Sequence, residues 1–200
     1  MGFRLRAIGG RLGGMMRGLR WAGMAVGLPL LATGAMAQDA APWPFIDEIR
    51  LGVSGSIQVD DLYEAGTFPW MTVYFDPFDR DGAIDLGEQL LRPRIDVGAM
   101  VSTAGEASQL HAGATWTFDL TEAIFVEVGL GAALTNATLT GPGDGPLVGC
   151  SLLFHESIAA GVRLDEHWSI IANAEHSSNA GLCEENDGLS YAGIGLGYRF

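Results

Sequence analysis

Apolar and polar residues alternate along most of the chain beyond residue 47, with the period of two that a pleated strand imposes. Ile124, Val126, Val128 and Leu130 alternate with Phe125, Glu127 and Gly129. Near the end, Ala192, Ile194, Leu196, Tyr198 and Phe200 form one face, and Gly193, Gly195, Gly197 and Arg199 form the other. The pattern predicts eight strands, near 48–58, 69–76, 91–102, 110–118, 123–133, 150–163, 168–178 and 189–200. Small glycines opposite an apolar stripe suit a narrow lumen with lipid outside. No helical apolar run follows residue 37, so membrane insertion would have to be as a barrel. The expected fold is all-β, an eight-stranded antiparallel up-and-down transmembrane β-barrel.

The connections give this barrel a direction. Turns at 119–122 and 165–167 are short, while 134–149 and 179–188 are long. This is the short-inside, long-outside pattern of outer-membrane barrels. Segment 77–90 is long for an inner turn, and a short helix would fit there.

Residues 1–37 read as a cleaved secretory signal, leaving 38–200 as the barrel domain. Arg4, Arg6, Arg11, Arg17 and Arg20 form a basic stretch, Trp21 to Gly34 is apolar, and Ala35-Met36-Ala37 is a cleavage site. Its removal changes the charge. Six arginines then face 24 acidic residues, a formal charge of −18, and the chain has no lysine. That surface argues against nucleic acid as a partner. Cys150 and Cys183 both fall at the external end, where an exported chain can keep a disulfide. A bridge would pin the loop from Asn179 to Asn186; the alternative is two free thiols. No spacing resembles a metal site, and no cofactor motif is present.

The candidate chemistry lies at the end of the seventh strand. His176 and Ser178 share the face of Ile170, Ala172 and Ala174, which in a membrane barrel points at lipid. Polar side chains there are costly, and a histidine beside a serine supplies a base and a nucleophile. A third group should orient the imidazole. If Asp165-Glu166-His167 is a three-residue turn, Glu156 of the sixth strand stands directly across from His176. A different turn would shift that register. His111 and His155 belong to the opposite, lumenal face.

The run His176-Ser177-Ser178-Asn179-Ala180-Gly181, with Asn186-Asp187-Gly188-Leu189 and the closing Gly197-Tyr198-Arg199-Phe200, resembles the lipid A 3-O-deacylase family of outer-membrane enzymes. The resemblance implies a serine esterase acting on lipid A of lipopolysaccharide in the bacterial outer membrane. It carries the catalytic histidine onto His176 and the serine onto Ser178. It makes Asn179 critical, with Gly181 (through its N–H) and Asn186 as oxyanion contributors. The family's acidic residue falls on Ser190, whose hydroxyl can hold an imidazole but cannot balance its charge. Glu156 is the substitute candidate from the other flanking strand. The alternative is a catalytically impaired or non-enzymatic structural barrel of the same fold. The pattern leaves a homodimer open.

Overall fold

The computed structural model describes residues 45–142 and 145–200; the leader expected over 1–37 lies outside the described residues. Eight antiparallel strands close into a barrel in simple sequence order. They are β1 (Glu48–Ser56), β2 (Phe68–Phe75), β3 (Arg94–Met100), β4 (Gln109–Asp119), β5 (Ile124–Thr135), β6 (Leu152–Arg163), β7 (Trp168–Ser178) and β8 (Leu189–Arg199). β8 pairs back onto β1, so no strand edge is left open. All eight expected strands are present, and the third is shorter than the alternation suggested.

Alternation sorts the side chains into two environments. The outer wall is apolar: Leu51, Val97, Leu130, Ile158, Ile170, Ile194 and Leu196 are exposed. The lumen is polar: Glu48, Arg50, Arg94, Asp96, His111, Glu127 and His155 are buried. Polar residues inside and apolar residues outside invert the usual globular arrangement and suit a wall facing lipid. Trp70 lies in the lumen, while Trp168 is exposed on the outer wall.

Ion pairs fill the lumen near the end that holds both described termini. Arg50 donates to both carboxylate oxygens of Glu48 (2.6 and 2.9 Å) and of Glu127 (2.9 and 2.5 Å). Arg94 donates to Glu48 and Glu127, each at 2.6 Å. Two cations share two carboxylates, so the buried charge balances and the guanidinium forks are largely occupied. The far end is closed by apolar packing of Phe68, Trp70, Met100, Val148, Leu153, Leu189 and Tyr191. Glu64, from the β1–β2 loop, is sealed beneath this end and takes hydrogen bonds from Tyr191 Oη (2.5 Å) and Ala107 N (3.0 Å). Burial pushes its carboxyl above the ordinary range despite those donors.

The long β2–β3 connection contains a helix, α1 (Leu86–Leu91). Asp85 caps it by accepting from Glu88 N at 2.9 Å. The indole of Trp116 on β4 donates to Leu90 O at 2.9 Å, tying the helix to the barrel wall.

Candidate active site

The β6–β7 turn sets the register on which the site depends. Asp165 Oδ1 accepts from His167 N (2.8 Å) and Trp168 N (2.7 Å), while Leu164 N donates to Trp168 O (2.8 Å). These bonds close a three-residue turn, so Arg163 pairs with Ser169 and Glu156 pairs with His176. His176 and Ser178 lie on the outer face with Ile170, while Ile171 and Ser177 turn inward and are buried.

His176 has a neighbour on each side, Glu156 on β6 and Ser190 on β8. The imidazole turns to Ser190, with Nδ1 and Oγ 2.8 Å apart. Among the described residues no hydrogen bond joins it to Glu156, which is exposed on the outer wall. Glu156 is thus across from His176 as expected, but the hydrogen-bonding partner of the imidazole is the Ser190 hydroxyl. The remaining edge of the ring lies over Gly188. A Cβ added there would stand 2.7 Å from His176 Cε1 and 3.2 Å from Nε2, and Gly188 has φ +71°. Only glycine combines that backbone with that clearance.

Ser178 lies two residues further along the same face. Among the described residues its hydroxyl makes no hydrogen bond to His176.

Asn179 is buried and organises the loop that follows. Its Nδ2 donates to Val148 O (2.8 Å) and Glu185 O (2.6 Å), and its N–H donates to Asn186 Oδ1 (2.9 Å). Its Oδ1 accepts from Gly181 N at 2.8 Å, an Asx-type closure of the Asn179-Ala180-Gly181 turn. Gly181 therefore does not offer a free N–H, contrary to the expectation that it would face an oxyanion. Asn186 uses its side-chain oxygen on Asn179 N. Cys150 and Cys183 are joined in a disulfide, with Cα atoms 6.1 Å apart, and tie this loop to the start of β6. Among the described residues, no group of three or more His, Cys, Asp or Glu side chains is placed to hold a metal ion.

An outward-facing groove of about 350 Å³ runs beside the imidazole. Ile57, Val128, Leu130, Ile158 and Ala174 give it apolar walls, and Glu156, His176 and Ser190 supply polar groups. Four strands and the segment after β1 contribute. The histidine–serine motif was readable along one strand; the groove was not, because its walls come from separate parts of the chain.

The model of the lipid A 3-O-deacylase (PagL) family matches residues 90–199, more than half of the chain. The chain belongs to the PagL family. A curated relative, the lipid A deacylase PagL of Pseudomonas aeruginosa, is 38% identical over 65 residues, covering 32% of this chain and 36% of that protein. The match thus spans about a third of that relative's length. The crystal structure of the outer membrane enzyme PagL superposes with a TM-score of 0.59 at 22% identity, covering 76% of this chain and 99% of that one. At that identity the likeness is one of fold: both are barrels. The lipid-facing wall and polar lumen described above are what this outer-membrane family requires.

Proposed function

We propose that this chain is an esterase of the outer membrane that releases the 3-O-linked acyl chain of lipid A. The observation that carries the reading is a histidine on the lipid-facing wall, held by Ser190 at 2.8 Å, at the edge of an apolar groove. An acyl chain is the natural occupant of such a groove, and lipid is the solvent that supplies it.

Ser178 Oγ attacks the acyl carbonyl while His176 takes the hydroxyl proton through the nitrogen not engaged with Ser190. The NH₂ of Asn186 stabilises the oxyanion. Collapse breaks the ester C–O bond, leaves an acyl-serine, and passes the proton to the departing 3-oxygen of the sugar. Water then attacks the acyl-serine with His176 again as base, releasing the fatty acid and regenerating Ser178. Lipid A in the outer leaflet is the substrate, and the long-loop end of the barrel faces outward.

A second reading is a family member without turnover. The absence of a carboxylate on the imidazole and the engagement of the Gly181 N–H favour it. One experiment separates the two. Lipid A from cells with and without the protein is compared by mass spectrometry, beside Ser178→Ala and His176→Ala. The esterase reading expects loss of one hydroxyacyl chain only with the parent protein. Both variants should fold and be inactive, a drop of roughly 10³-fold or more. Acyl release retained by either variant refutes the mechanism, and no release by the parent favours the second reading.

A further inference from the structure

Gln58 lies just beyond β1, outside the residues matched to the family, and carries no sequence motif. Its carboxamide nevertheless reaches the start of β8. Nε2 donates to Gly188 O at 3.1 Å, and Oε1 accepts from Ser190 N at 3.1 Å. Ile57 N donates to Ser190 O at 3.1 Å. Both backbone polar groups of Ser190 are therefore held from the segment after β1.

The two residues gripped by Gln58 are the two that hold His176. Ser190 binds Nδ1, and Gly188 lies under the Cε1–Nε2 edge. The β7–β8 ladder ends at the pairs His176–Ser190 and Ser177–Leu189, so nothing in that ladder fixes Gly188. A charged carboxylate would orient an imidazole through a strong bond; a hydroxyl makes a weaker neutral one. The strand bearing that hydroxyl must therefore be held more firmly if the ring is to stay in place.

We infer that Gln58 is a positioning residue for His176: its amide braces Gly188 and Ser190 and compensates for the missing carboxylate. The inference rests on the reading of His176 as the catalytic base.

The test replaces Gln58 with methionine, which keeps the length and removes both hydrogen bonds, in the parent and in a Ser190→Glu background. Full-length protein in detergent micelles is assayed on lipid A, and its melting temperature is recorded. Histidine labelled with ¹³C at Cε1 gives four ring signals, the His176 signal being assigned by its loss in His176→Gln. Gln58→Met should lower kcat about tenfold, the loss expected for neutral hydrogen bonds. KM should stay near the parent's, and the melting temperature should fall by no more than about 5 °C. The His176 signal should shift or broaden while those of His111, His155 and His167 stay in place. In the Ser190→Glu background, where an ionic bond holds the ring, the kcat loss should shrink to about threefold or less. An unmoved His176 signal, an unchanged kcat, a loss that tracks melting temperature, or a loss undiminished by Ser190→Glu overturns the brace. If the parent releases no acyl chain, the esterase reading fails, and the His176 signal alone decides the brace.

Discussion

A histidine and a serine meet on each face of strand β7, His155 of β6 with Ser177 in the lumen and His176 with Ser178 outside, and the two differ in an instructive way. In the lumen, His155 Nδ1 lies 3.1 Å from Ser177 Oγ, and His155 Nε2 lies 3.8 Å from a Glu175 carboxylate oxygen. Serine, histidine and acid are all present, yet Ser177 is 1% exposed and the His155 ring is stacked on His111 with centroids 4.6 Å apart. On the outer face, His176 is held by the Ser190 hydroxyl and both line an open groove, with Ser178 two residues further along the strand. The inner set has the composition of a hydrolytic triad and no access; the outer set has access and an incomplete composition. A residue list does not locate an esterase, because a nucleophile must also meet its substrate.

Four substitutions sharpen this contrast, in descending order of effect on acyl release. Gly188→Ala forces a side chain into a left-handed backbone and against the imidazole. It should lower kcat about 30-fold, the equivalent of roughly 2 kcal/mol of strain and ring displacement. Ser190→Ala removes the bond to Nδ1 and should cost about tenfold, or roughly 1.4 kcal/mol; full activity in this variant would mean that the ring needs no orienting partner. Glu156→Gln touches an exposed group without a bond to the ring and should change kcat by no more than about threefold. A sharp loss there would restore Glu156 as the acid. Ser177→Ala should leave acyl release within about twofold while lowering unfolding stability by roughly 1 kcal/mol, measured by denaturant titration in micelles. A large kinetic effect from Ser177→Ala would erase the distinction between the two faces.

Much of this was legible along the chain. Alternation at Ile170, Ala172, Ala174, His176 and Ser178 put the motif on the outer face. Counting back through the turn at Asp165 to His167 placed Glu156 across from His176, and the register holds. The count did not show which neighbour the ring would choose. His176 has a partner strand on either side, and side-chain rotation, not register, directs Nδ1 to Ser190. Asn179 was readable as important, but its role as the centre of a loop network was not. Val148 and Glu185 are brought to it only when two loops fold together. The engagement of the Gly181 N–H was not readable for a local reason: its acceptor is a side chain two residues away whose rotamer the sequence does not state.

The sequence by itself determined the strands, their faces, the antiparallel barrel and the register between β6 and β7. Those follow from the two-residue pleat and the length of one tight turn, both local properties of the chain. The tertiary structure decided the partner of His176, the walls of the groove and the grip of Gln58 on β8. Gln58 and Ser190 are separated by most of the barrel in sequence and become neighbours only when β1 closes onto β8. Contacts made by closure depend on every strand between them, and no local pattern encodes them.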